Sequence, residues 1–289
     1  MANNGIKQRT RSPEVPKRRA MPLLKWAGGK YVFVRDIARH VPPLVDGARY
    51  YEPFAGAASL FLALRPRRAR LSDLNIDLME TYRAVRSNPV DVAKLLKSLA
   101  RLHSKPFYYS VRESFNRSRS ALRQAARFIY LNKAGFNGVY RVNKQGKFNV
   151  PHGKRRKLRI PSRESLVDVA KLLKRAQLRT CNYVEAVRDA KRGDFVYLDP
   201  PYPPLNGSSF FTHYTKERFS AADQMEVARV ANELVRRGVR VLVTNADTPM
   251  VRSLYAGWHI RKVSRPRWVR SGNVKHQVNE LIISSYEPR

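Results

Sequence analysis

The chain has 289 residues, 43% of them hydrophobic, which is enough for a folded protein with a sizeable core and too many for a disordered one. No apolar run approaches the roughly 20 residues of a membrane span. The first residues lack the apolar stretch of a secretory signal, and a single cysteine excludes a disulfide framework or a cysteine-rich metal site, so a cytoplasmic protein is expected. With 57 Lys and Arg against 22 Asp and Glu, the formal net charge of +35 calls for a nearby polyanion, nucleic acid foremost; the alternative is a host whose proteins all run basic.

Residues 1–20, MANNGIKQRTRSPEVPKRRA, carry few large apolar side chains and read as a disordered basic arm. The lead-in LLKWAGGK (23–30) has a Trp beside a Gly-Gly turn and then a Lys: Trp26 could stack on a base and Lys30 could face a carboxylate or phosphate, or the Trp could simply pack in a core. Strand-like and helical runs then alternate: a strand at 48–54, a helix at 57–65, a strand at 68–75 and a helix at 78–85. Further on come a strand at 194–199, an amphipathic helix at 223–238 ending on Gly238, a strand at 239–245 and a closing strand at 278–286. Such alternation predicts a mostly parallel sheet with helices on both faces.

The middle of the chain breaks this rhythm. Residues 86–165 are helical and basic, with a turn-rich centre at 132–159 in which Asn137-Gly138 and Gln145-Gly146 are hairpin-turn signals. Phe136, Tyr140 and Phe148 alternate there with Arg141, Lys147 and Lys154, a mixture that suits a nucleic-acid-contacting loop or a solvated hairpin. The expected organisation is a basic arm at 1–20, a catalytic domain at 21–85 and 166–289, and an inserted recognition domain at 86–165.

In an open α/β sheet, ligands bind at the carboxyl ends of the strands. Three candidates fall there: EPFAGAAS (52–59), whose small-residue turn admits a ligand close to the backbone; Asp73, placed to hydrogen-bond a ribose; and Asp199, which ends the run VYLD. Gly56 alone does not make the G-x-G-x-x-G fingerprint, which weakens a dinucleotide reading. After Asp199 come Pro200, Pro201, Tyr202 and a second Pro-Pro pair (Pro203, Pro204); prolines lack amide donors and have fixed φ, so neither helix nor sheet continues and the turn is stiff.

The motifs LLKWAGGK, EPFAGAAS, SDLN (72–75), YLDPPY (197–202) and VLVTNAD (241–247), in this order, resemble the DNA adenine-N6 methyltransferases whose cofactor motif precedes the catalytic one, the Dam-like D12 class, which modifies adenine in GATC. The likeness runs from residue 22 almost to the end, and residues 130–153 are similar to that group's target-recognition region. The resemblance implies a Rossmann-like class I methyltransferase sheet with an inserted, mainly helical DNA-recognition domain. It implies S-adenosylmethionine as methyl donor without a metal, duplex DNA as partner, a monomer, and a place at the nucleoid in replication marking or restriction-modification. Asp199, Pro200, Pro201 and Tyr202 would be catalytic: Asp199 and the Pro200 carbonyl would accept the two N6 hydrogens, and Tyr202 would stack on a flipped adenine. Trp26, Lys30, Glu52, Phe54, Gly56, Asp73 and Asp199 would line the cofactor pocket, while Lys25, Phe136, Asn137 and Arg141 would reach DNA, Arg141 as a bidentate reader of guanine.

Two positions depart from the family pattern. Ala58 stands where a glycine is usual, with a methyl group that could crowd the cofactor, and Ala134 stands where a bulky side chain is common. The alternatives are a catalytically inactive or relaxed-specificity nucleic-acid-binding protein on the same fold, methyl transfer to RNA adenine or protein glutamine, and an NAD-dependent enzyme. A C5-cytosine enzyme would need a nucleophilic thiol, and Cys181 lacks that family's Pro-Cys context and reads as a core residue.

Overall fold

The computed structural model describes residues 20–117, 120–155, 157–203, 219–268 and 275–288. The expected basic arm, apart from Ala20, and Pro204 lie outside the described residues. The described elements are, in chain order, α1 (Val34–Arg39), β1 (Tyr50–Glu52), α2 (Ser59–Leu64), β2 (Ala69–Asp73), α3 (Ile76–Ser87), α4 (Pro89–Arg101), α5 (Lys105–Arg117) and α6 (Ala121–Ala134). They continue with α7 (Arg163–Leu173), β3 (Ala176–Thr180), α8 (Tyr183–Val187), β4 (Phe195–Leu198), α9 (Ala221–Arg236), β5 (Arg240–Ala246), α10 (Pro249–Leu254), β6 (His259–Trp268) and β7 (Lys275–Ser284).

Seven strands form one sheet in the order β3-β2-β1-β4-β5-β7-β6. The first five are parallel; β7 runs antiparallel to both β5 and β6. This is the Rossmann-like methyltransferase sheet that the motifs imply. The direction of winding reverses between β1 and β4, so the connections leaving those two strands diverge and a crevice opens at their carboxyl ends.

Alternation along the strands sorts the core into two layers. Tyr50, Phe195, Tyr197, Leu242 and Ile282 point into one cluster, Tyr51, Val196, Leu198, Val243, Leu281 and Ile283 into the other. Both faces are therefore covered, which is why these strands read as continuous apolar runs. Helices α8, α9 and α10 cover the second face, and α2 to α7 the first. The helices of the 86–165 segment share one core with the sheet: Tyr108, Phe115 and Phe128 belong to the same cluster as Tyr50 and Leu71.

Local chemistry explains the element ends. Ser220 and Asp223 form a reciprocal capping box at the start of α9. Gly238 closes that helix at φ +78, with its N–H on Val235 O (2.8 Å) and that of Val239 on Leu234 O (3.0 Å), as expected of a glycine past a helix end. Gln145-Gly146 does form a hairpin tip: Gly146 N–H donates to Asn143 O (2.9 Å) and Val142 pairs with Phe148. Asn137-Gly138 is different. Both residues have positive φ and make a tight turn closed by Val139 N–H on Phe136 O (3.2 Å), but that turn follows α6 and tips no ladder.

Candidate active site

Glu52 ends β1, Asp73 ends β2 and Asp199 follows β4, so three carboxylates meet at the carboxyl ends of three adjacent strands. The glycine turn of the lead-in brings Lys30 to them. Gly28 takes φ +71, Gly29 N–H closes on Trp26 O (2.9 Å), and the turn delivers a buried Lys30 whose ammonium lies 2.9 Å from Asp199 Oδ1 and 3.9 Å from Glu280 Oε1. That ammonium also donates to the Gly28 carbonyl and sits 4.4 Å from the centre of the Tyr202 ring. Thr244 donates its hydroxyl to Asp199 Oδ1 (2.8 Å) and contacts Tyr197 OH (2.8 Å).

The turn after Asp199 is held from outside. Gln224 on α9 donates to Pro201 O (2.7 Å) and accepts from Asn245 at the end of β5 (2.9 Å). Prolines cannot be fixed through their own N–H groups, so the fixing falls on a carbonyl.

Burial dominates the electrostatics. It pushes the Asp199 carboxyl up, while the Lys30 ammonium and the Thr244 hydroxyl oppose the shift. Glu52 is pushed up to about 8 by burial, although Tyr50 OH (2.8 Å) and Phe61 N–H (3.1 Å) donate to it. Asp73 is also raised by burial, against hydrogen bonds from the Asn75 (2.9 Å) and Gly56 (3.0 Å) N–H groups. Burial thus holds Glu52 neutral at pH 7, and the cation that meets Asp199 is Lys30. Gly56 packs directly against the Trp26 ring: a Cβ at this position would lie 2.7 Å from it, so no larger residue fits.

Trp26 stacks on Tyr140 (centroids 6.1 Å apart) and packs on Phe128, so it joins the crevice to the 86–165 segment. Phe54 lies on the second core layer, stacked on Tyr183 at 5.1 Å and edge-on to Phe219. Lys25, Phe136, Asn137 and Arg141 gather around the end of α6. Asn132 is the knot: it accepts from Lys25 N–H (2.8 Å) and donates to Lys25 O (2.7 Å) and Gly138 O (2.9 Å). Phe136, Asn137 and Arg141 are exposed, with Arg141 braced by Asn149 Oδ1 (2.8 Å). Tyr140 donates to Asp77 at the start of α3 (2.7 Å), which ties the loop to that helix as well.

Ala134 is fully buried at the end of α6, and Phe136 is the exposed aromatic of this loop. Ala58 is also buried, in the first core layer, and adopts φ +51. Cys181 is buried and its thiol raised by that burial, which makes it a poor nucleophile. Among the described residues there is no group of three or more His, Cys, Asp or Glu able to hold a metal, and no helix long and apolar enough to cross a membrane.

Thr244, Glu280, Gln224 and Asn132 were not singled out by the sequence reading. Thr244 lay inside the motif VLVTNAD, and Glu280 is a carboxylate within the apolar run of a closing strand, a signal that could have revealed it. Asn132 and Gln224 act through backbone carbonyls far away in sequence, which no spacing discloses.

The chain is 37% identical to the DNA adenine methylase of Escherichia coli strain K12, over 92% of this chain and 95% of that protein. It is 37% identical to the type II methyltransferase M.MjaIII of Methanocaldococcus jannaschii, over 92% of this chain and 99% of that one. With the type II methyltransferase M1.LlaDCHI of Lactococcus lactis subsp. cremoris it shares 34% identity over 92% and 95% of the two chains. The signature of the D12 class of N6 adenine-specific DNA methyltransferases matches residues 26–269, from Trp26 through the Asp199 turn and past the end of β6. With its motifs in order and its three carboxylates at adjoining strand ends, the chain belongs to the D12 class of N6 adenine-specific DNA methyltransferases.

Proposed function

We propose that this protein transfers the methyl group of S-adenosylmethionine to N6 of adenine in duplex DNA, within GATC, on a base flipped out of the helix. The observation that carries this reading is the Asp199 turn, with its carboxylate against Lys30 and Thr244 and its Pro201 carbonyl gripped by Gln224. Adenine N6 is a poor nucleophile because its lone pair is delocalised into the ring. Asp199 and the Pro200 carbonyl accept its two N–H bonds and draw the nitrogen toward tetrahedral geometry. Asp199 must stay an acceptor for this, and Lys30 and Thr244 oppose the burial that would protonate it. Tyr202, beneath the Lys30 ammonium, offers the ring on which the adenine stacks.

S-adenosylmethionine, when bound, supplies an electrophilic methyl on a positively charged sulfur. Residues suited to hold it are Trp26, Lys30, Glu52, Phe54, Gly56, Asp73 and Asp199: they lie on or beside the turns at the carboxyl ends of β1, β2 and β4, with Trp26 against Gly56 and the Gly56 N–H on Asp73, where an open α/β sheet takes its ligand. No metal enters this reading. Residues 86–165 serve as the target-recognition insertion, with Lys25, Phe136, Asn137 and Arg141 against DNA and Arg141 reading guanine. The protein works as a monomer in the cytoplasm, at the nucleoid.

The test is transfer from radiolabelled S-adenosylmethionine to matched duplexes with and without one GATC. Label on N6 in the GATC duplex alone is expected; label in both would remove the GATC assignment. Asp199→Ala should lower transfer by at least about a thousandfold and leave DNA affinity nearly unchanged, and undiminished transfer would refute the mechanism. Tight DNA binding by a folded wild type that transfers nothing would favour the inactive binding protein.

A further inference from the structure

A second concentration of cations lies at the end of the sheet opposite Asp199. Arg175, Arg68 and Arg49 immediately precede β3, β2 and β1, and each carbonyl accepts the first N–H of the adjoining strand: Ala69 to Arg175 (3.1 Å), Tyr50 to Arg68 (3.0 Å) and Phe195 to Arg49 (3.0 Å). The three arginines therefore stand in register along the sheet edge, about 4.8 Å apart from strand to strand. Arg240 opens β5 further along the same edge, and the exposed Lys191 and Arg192 occupy the turn that leads into β4. A cavity of about 280 Å³ opens among Arg49, Arg68 and Lys191, with Asp189 and Asp194 also in its wall.

Acidic groups at this edge neutralise only part of it: Asp189 lies 3.6 Å from the Arg49 guanidinium, which leaves Arg68, Arg175, Lys191 and Arg192 as the main positive charges. Asp194 is buried and accepts the N–H groups of Arg49 (2.8 Å) and Lys191 (3.0 Å). Asp189 forks onto the buried Arg70, with one bond of 2.9 Å. Asp46 meets Arg67 only at 4.0 Å with both side chains almost fully exposed, a pairing worth little in water. Cations at helix carboxyl ends are favoured by the helix dipole, and this accounts for Arg39 and Arg236. It does not account for Arg68, Lys191 or Arg192, which sit in turns beyond the helices.

We propose that this arginine edge binds the phosphate backbone of a second DNA duplex, separate from the one held at the carboxyl ends of the strands. The row spans several strands at regular intervals, as an extended polyanion requires. Strands of about five residues, at about 3.3 Å each, set the two ends of the sheet roughly 16 Å apart and facing opposite ways, so one straight duplex cannot lie on both. The enzyme thus bridges two DNA segments or passes from one to another without release. The inference rests on duplex DNA as the substrate.

The test uses the full chain and a fourfold variant, Arg68→Glu, Arg175→Glu, Lys191→Glu and Arg192→Glu, all at exposed side chains. Each protein is saturated with a short GATC duplex and offered a longer fluorescent duplex without GATC. Wild type should capture the second duplex, and the variant should capture it at least about tenfold more weakly with a shallower salt dependence. Methyl transfer to the short duplex should be equal in both proteins, which shows that the variant folds; its absence from wild type would defeat the proposed function instead. Equal capture by both proteins, or no capture by wild type, would overturn the second site. Capture of polyglutamate in preference to the duplex would also overturn it, assigning the edge to an acidic protein.

Discussion

Ala58 occupies a left-handed conformation, φ 51 and ψ 37, at the entrance to α2. For an L-residue this costs about 1–2 kcal/mol. A glycine there would relieve that strain, but would lose a buried methyl worth about 0.8 kcal/mol and order a more flexible unfolded chain at about 0.5–1 kcal/mol. The terms nearly cancel, so Ala58→Gly should change the free energy of urea unfolding by less than about 1 kcal/mol, whereas Ala58→Val, β-branched at positive φ, should lose about 2 kcal/mol or more. Glu52 sets a pH dependence. Its folded-state value of about 8 lies above the ordinary 4.5, so the folded protein keeps a proton that the unfolded chain has lost. Stability should therefore fall as pH rises from 4.5 to 8 and level off above. Glu52→Gln keeps an oxygen to accept from Tyr50 and Phe61 but has no proton to lose, so its unfolding free energy should vary less across that window, by on the order of a few kcal/mol. Denaturation of both proteins at the two ends of the window checks this; parallel curves would show Glu52 ionised in the folded state. At this scale Asp199 and Lys30 stood out because each sits in a local motif, a carboxylate ahead of Pro-Pro and a lysine after a Gly-Gly turn. Glu280 was not, because it reaches Lys30 from a strand at the far end of the chain.

Asn132 shows how one helix holds the loop that follows it to the lead-in of the crevice. Its three hydrogen bonds tie α6 to the lead-in at Lys25 and to the turn at Gly138. Asn132→Ala leaves two carbonyls and one N–H without that partner in a nearly dry site, so a loss of about 2–4 kcal/mol is expected. DNA discrimination should fall with it, while affinity for nonspecific duplex should change little; paired thermal-melt and binding measurements test both. A variant with native stability would remove Asn132 as the tie. Most elements that build the crevice were legible, since apolar strands alternate with amphipathic helices. Strand β3 (AQLRT) was not, because it lies at the sheet edge with Gln177 exposed and lacks the apolar run. Strand β6 was missed as well: HIRKVSRPRW carries four Arg and Lys in ten residues and contains Pro266, a pattern suited to the edge position it takes.

For the whole molecule the charge of +35 dominates behaviour toward DNA. If six or more phosphates are neutralised, affinity for nonspecific duplex should drop by about a thousandfold between roughly 50 and 200 mM salt. Anisotropy titrations measure this directly, and a drop of less than about tenfold would mean that most of these cations never meet DNA. Composition announced the polyanion but gave no placement, because a count of arginines is blind to register. Only the ladder of strands lines up Arg175, Arg68 and Arg49.

Lys30, Asp199 and Glu280 come from three distant parts of the chain and meet within 4 Å of one ammonium group. On the ribosome, therefore, Lys30 and its turn emerge long before the carboxylate on β7 exists. The strand that carries Glu280 must pair with β5, with β6 on its outer side, before the crevice is complete. The Lys30 centre is therefore complete only once residue 280 has left the ribosome and β7 has found its place beside β5.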